Sequence, residues 1–177
     1  PNTHKEYAIK AMEAGKPVYV EKPMAMNFSE CIDMIQVAKR TGQKLFVAYY
    51  RRALPYFLKV KEIIDGNTIG DIMSIDVRHY SAPRPADLDH TIPSWRTDKR
   101  IAGGGYFYDM ASHTLDMLDY LLGEIETVKG YVKNMRKLYT VEDTVSVIFR
   151  FKSGVQGIGQ WCFVTSEEAE RDVRRIN

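Results

Sequence analysis

Two short apolar runs, Pro17-Val18-Tyr19-Val20-Glu21 and Leu45-Phe46-Val47-Ala48, each follow a helical pattern, and this order constrains the fold more than any other feature. The first helix is expected over residues 4–14, capped by Asn2 or Thr3 and closed by Gly15. The second is expected from Ser29, its cap, to Gly42, with Cys31, Met34, Ile35 and Ala38 on one apolar stripe. Apolar runs without polar alternation read as buried strands, and Lys22-Pro23 stops the first because proline cannot donate to a ladder. Helix, strand, helix, strand in that style argues for a parallel sheet covered by helices, an α/β arrangement.

The pattern changes after Tyr50. A helix over 55–65 stops at Gly66, a strand is expected over 72–80, and residues 81–104 read as loop, with Pro83, Pro85, Pro93 and the run Gly103-Gly104-Gly105. A loop of that length is usually functional or mobile. A helix follows over 106–122, closed by Gly123. Val145, Val147, Phe149 and Phe151 then alternate with polar or smaller residues, Ser153-Gly154 turns the chain, and 155–163 returns as the second arm of a hairpin. These are antiparallel signals, so an α/β segment gives way to an α+β domain near residue 49.

Charge and composition narrow the function classes. A net charge of +2 creates no field for nucleic acid or for a membrane surface. Arg51-Arg52 and the arginines of 171–175 lack interleaved aromatics and read as solvated surface. No apolar run approaches the ~18 residues of a membrane span. Cys31 and Cys162 stand far apart without Cys-x-x-Cys spacing, which fits free thiols in a reducing, cytoplasmic setting and no structural metal.

Three features are able to carry chemistry. Asp109 and His113 are four apart in an expected helix, which places a carboxylate beside an imidazole, an arrangement that fixes a tautomer and raises basicity. The same spacing suits a structural pair, or two metal ligands joined by His79 or His90. The helix also opens after the glycine run, where a ligand can approach the backbone closely. Lys22 ends the first strand, and open α/β sheets bind ligands outside the carboxyl ends of their strands. A lysine there polarises a substrate oxygen, or is simply a solvated strand end. Trp95-Arg96 is suited to pinning a sugar hydroxyl or a phosphate, or to packing the loop.

These stretches, taken in order, resemble the Gfo/Idh/MocA oxidoreductases. The resemblance rests on Pro1-Asn2 with His4, on 14–23 with its Glu21-Lys22-Pro23 motif, and on Tyr50-Arg51-Arg52. It continues through Ile69-Gly70-Asp71-Ile72, Trp95-Arg96, and the block from Gly103 through Asp109 and His113 to Asp116. It implies that residues 1–48 are the C-terminal portion of a Rossmann-type dinucleotide-binding domain. Residues 49–177 would be a substrate-binding and oligomerisation domain with an open, mainly antiparallel sheet covered by helices on one face. By the same resemblance Lys22, Asp109 and His113 are catalytic. His113 would take the hydroxyl proton, Lys22 would hold the developing alkoxide, and Asp109 would orient the site or join a proton relay. Asn2, His4, Glu21, Lys22 and Pro23 would stand on the NAD or NADP side, and Tyr50, Arg51, Trp95 and Arg96 on the side of a sugar or polyol substrate. A homo-oligomer through the open sheet is expected. No Gly-x-Gly-x-x-Gly occurs in the chain, so it is expected to be a fragment, continuing before Pro1 and beyond Asn177, and inactive alone. Two other readings compete: a non-catalytic interaction or regulatory module that kept the fold, and a metal-dependent hydrolase using His113.

Overall fold

The computed structural model describes residues 1–89, 91 and 94–169, and the backbone of 171–176. Helix α1 (His4–Glu13) leads into strand β1 (Val18–Val20), and α2 (Phe28–Thr41) leads into β2 (Leu45–Val47). The strands pair in parallel, with Val18 opposite Leu45 and Val20 opposite Val47. Gly15 (φ 74°) follows α1 and Gly42 (φ 70°) closes α2, both in the left-handed region where a side chain is costly. The α2 cap is Asn27 rather than Ser29: its Oδ1 accepts the Glu30 amide at 3.0 Å, the bond an N-cap side chain makes to the third residue of its helix. Met12 and Met34, both fully buried, pack with Ala8, Val20 and Ala25 between the helices and the strands.

Both runs read as buried strands, and the structure buries them only in part. Tyr19 and Phe46 lie opposite each other and remain 68% and 55% exposed. Successive strand residues point to opposite sides, and α1 and α2 pack together over one of them.

A 3-10 turn (Tyr50–Ala53) precedes α3 (Pro55–Asp65), which starts with proline at its first position. Strand β3 (Ser74–Tyr80) comes next. The stretch read as loop holds short pieces: α4 (Pro85–Leu88), a 3-10 turn (Trp95–Thr97) and α5 (Lys99–Ala102). A π turn (Phe107–Ala111) then runs into α6 (Ser112–Leu122). Strands β4 (Ile125–Lys133), β5 (Thr144–Phe151), β6 (Gln156–Cys162) and β7 (Arg171–Ile176) complete the chain. They form one five-stranded sheet in the order β4-β5-β6-β3-β7, in which only β3 and β6 are parallel neighbours. The arginine-rich segment is thus the backbone of an edge strand.

One face of this sheet is buried. Ile75, Val77, Phe149, Phe151 and Trp161 meet Tyr106 and Leu118 from the helical side. On the other face Tyr131, Ile148 and Ile158 are 80%, 58% and 49% exposed, with Ile148 directly opposite Ile158. Among the described residues no helix is long and apolar enough to cross a membrane.

The two sheets are tied together where the glycine run meets the segment after β1. Gly103 sits at φ 83°, and a Cβ there would stand 2.6 Å from the Met26 carbonyl oxygen. The Gly105 amide donates to Glu142 Oε1 at 2.7 Å, and Tyr108 Oη donates to the Ala25 carbonyl at 2.7 Å. The glycines therefore admit close approach of chain to chain, where approach of a ligand was expected.

Candidate active site

Strand β1 delivers Lys22 to its carboxyl end, and the clamp between residues 25–26 and 103–108 brings the π turn over it. Lys22 Nζ donates to Asp109 Oδ1 at 2.6 Å and to the Asp109 carbonyl at 2.9 Å, across 87 residues of chain. Both side chains are largely buried, 18% and 15% exposed. Asp109 Oδ2 is held from the other side by Arg96 Nε at 3.3 Å. The Arg96 guanidinium lies over the Trp95 ring, 4.3 Å from its centroid, and Ser94 caps this short turn through the Arg96 amide. One carboxylate therefore bridges two cations.

A cleft of about 440 Å³ opens here, lined among others by His4, Glu21, Lys22, Trp95, Arg96 and Asp109. His4 Nδ1 donates to the Pro23 carbonyl at 3.0 Å, fixing the chain just past Lys22. Glu21 Oε2 accepts the Lys22 amide at 3.3 Å, and the Asn2 amide donates to the Ile101 carbonyl at 3.2 Å.

His113 is 8% exposed and stands edge-on to two aromatic rings, Tyr49 at 6.1 Å and Tyr50 at 5.6 Å between centroids. Its Nδ1 is buried without a hydrogen-bond partner. Burial, together with the Lys22 and Arg51 cations, pushes the imidazole down to about 4; Asp109 and Glu21 pull upward and are outweighed. The expected carboxylate–imidazole couple is corrected on this point. The π turn disturbs the α-helical spacing on which the couple depended, Asp109 is committed to Lys22 and Arg96, and the imidazole is less basic, not more.

Sequence reading missed what holds the imidazole wall in place. Arg52 grips Asp116 with Nε at 2.9 Å and Nη2 at 2.6 Å, pinning the Tyr50–Ala53 turn to α6. Asp116 lies three residues past His113, a helical spacing that carried the signal. Glu142, which anchors Gly105, had no local signal. Of the remaining histidines, His79 packs on the Phe163 ring at 5.2 Å, and His90 lies outside the described residues. Among the described residues, no three His, Cys, Asp or Glu side chains gather as metal ligands.

Comparison with known proteins matches residues 1–49 to an oxidoreductase family with an NAD-binding Rossmann fold. Residues 57–175 match the GFO/IDH/MocA C-terminal domain. Oxidoreductase P35 of Formosa agariphila is 37% identical over 170 residues, covering 96% of this chain and 52% of that protein. Myo-inositol 2-dehydrogenase of Thermotoga maritima is 36% identical over 165 residues, covering 89% and 46%. Among solved structures, levoglucosan dehydrogenase in complex with NADH superposes with a TM-score of 0.87 at 30% identity, over 99% of this chain and 49% of that one. The WlbA dehydrogenase of Bordetella pertussis, in complex with NADH and UDP-GlcNAcA, gives 0.86 at 28%, over 99% and 50%. The chain spans about half the length of the relatives it matches. The two family matches together cover nearly the whole chain, in the order that its parallel strands and its open sheet follow: the chain belongs to the GFO/IDH/MocA oxidoreductase family.

Proposed function

We propose that this chain carries the reacting groups of an NAD- or NADP-dependent dehydrogenase or reductase that acts on a CH–OH group of a sugar, a polyol or a related carbonyl compound. The observation that carries the reading is the Lys22–Asp109 ion pair, held at 2.6 Å at the carboxyl end of a parallel strand. Relatives named as inositol and levoglucosan dehydrogenases support the substrate class.

Lys22 has two of its three N–H directions committed to Asp109, which aims the third into the cleft. There it stabilises the oxygen on which negative charge develops. His113 is neutral at physiological pH and serves as the base for the hydroxyl proton. Asp109 orients Lys22. It is bonded to Arg96 on its other oxygen. Tyr50, Arg51, Trp95 and Arg96 form the substrate side, and Asn2, His4, Glu21 and Pro23 the cofactor side. At about 440 Å³ the cleft falls within the range of roughly 300–1,000 Å³ usual for small-molecule sites. The residues present fit the nicotinamide end of the cofactor, and no glycine-rich turn for the pyrophosphate occurs in the chain. The nicotinamide, when bound, takes or gives the hydride.

On this reading residues 1–48 belong to the nucleotide domain and 49–177 to the substrate domain. Copies associate through the open sheet face, in a reducing, cytoplasmic compartment that suits the two free cysteines. The test is polyol- or sugar-dependent reduction of NAD or NADP by the protein, wild type against Lys22→Met. Turnover is expected to fall by about 10² to 10⁴, the range for loss of one such group. A Lys22→Met protein with wild-type turnover would overturn the assignment. A wild type that binds NADH or NADPH yet is inert towards every polyol and sugar tried would favour the non-catalytic module.

A further inference from the structure

Asp109 is placed to serve either of two neighbours. It faces the Lys22 ammonium, and it lies within electrostatic reach of a buried imidazole whose Nδ1 has no partner. A carboxylate with one oxygen free would ordinarily be drawn to such a nitrogen once it is protonated. Here each oxygen is already engaged by a cation: Oδ1 by Lys22 and Oδ2 by Arg96. Arg96 is itself held by the Trp95 ring and by the Ser94 cap of its turn. We propose that Arg96 is a positioning residue that holds Asp109 on Lys22 and away from His113. This rests on the reading of Lys22, Asp109 and His113 as the reacting group, and adds a role for Arg96 beyond contact with substrate.

The charged and titratable groups facing His113 are Lys22 and Glu21 from the end of β1, Arg51 from the 3-10 turn, and Asp109 from the π turn. Tyr49 and Tyr50 pack against the ring. Only Asp109 among these is bonded to Arg96. A change at Arg96 that reaches His113 through bonding therefore has to pass through Asp109.

The experiment is an NMR titration of the His113 imidazole in the intact chain, which needs neither cofactor nor turnover. With Arg96→Met, the His113 midpoint is expected to rise by about half a pH unit or more, as the freed carboxylate oxygen turns to Nδ1. Arg96→Lys keeps a cation on Asp109 and should return most of that change. On an Asp109→Asn background, Arg96→Met should move the midpoint little, because the carboxylate that transmits the effect is gone. A midpoint unmoved by Arg96→Met overturns the proposal. So does a change of equal size with and without Asp109, which would mean that Arg96 acts by its own field. If the protein proves inert as an oxidoreductase, the titration still decides whether Arg96 governs Asp109, so the two readings fail separately.

Discussion

His113 shows how position overrides residue type. An imidazole with an ordinary value of 6.5 is lowered to about 4, first by burial and then by the Lys22 and Arg51 charges. Because the folded value lies below the unfolded one, the unfolded chain binds more protons between about pH 4 and 6.5, and stability falls as pH is lowered through that window. The loss at full protonation is on the order of 3 kcal/mol, since each pH unit separating the folded and unfolded values is equivalent to about 1.4 kcal/mol. Urea denaturation between pH 4 and 7 should show this slope, and His113→Asn should flatten it. An unchanged slope in the variant would mean that other groups carry the pH dependence. The spacing of Asp109 and His113 was legible in the sequence, but their relation was not. It depends on a π turn and on two cations that arrive from residues 22 and 96, and nothing local reports either.

At the scale of elements, the wall that carries Tyr50 and Arg51 is a short 3-10 turn whose hold on α6 is chiefly the Arg52–Asp116 fork. Asp116 is 8% exposed, so removing its partner leaves a nearly buried carboxylate uncompensated. Arg52→Ala is expected to destabilise the fold by about 2 kcal/mol, below the roughly 3–5 kcal/mol for a fully buried pair because Arg52 itself is 40% exposed. It should also loosen the Tyr50 ring against His113. Denaturant midpoints measure the first effect and the His113 ring resonances the second; a neutral variant would show that packing of α3 alone seats the turn. The longer helices and the β5–β6 hairpin were legible because each carries its own periodicity and stop signals. The partners of β3 were not. Its parallel neighbour is β6, more than seventy residues on, and its other neighbour is the arginine-rich β7, whose composition resembles surface.

For the whole molecule, the uncovered sheet face is the feature with the largest consequence. Ile148 and Ile158 stand opposite each other, and Tyr131 lies one row along, all exposed. An apolar cross-strand pair on an open face favours association of copies. Ile148→Glu is expected to weaken self-association at least tenfold in sedimentation equilibrium while leaving the far-ultraviolet circular dichroism unchanged. A variant that associates as the wild type does would place the contact elsewhere.

The sequence by itself determined the longer helices, the short parallel strands, the antiparallel hairpin and the residue types that bear on chemistry. Those depend on periodicities of 3.6 and 2 and on local caps, which neighbouring residues specify. Tertiary structure alone decided that Lys22 and Asp109 meet across 87 residues, that Arg96 shares the carboxylate, and that the glycine run seats backbone against backbone. It also decided that His113 is left unpaired at Nδ1 and neutral. The physical reason is range. Hydrogen bonds and packing between distant segments form only once the chain has closed on itself, and the electrostatics of a buried group depend on every charge that closure brings near it.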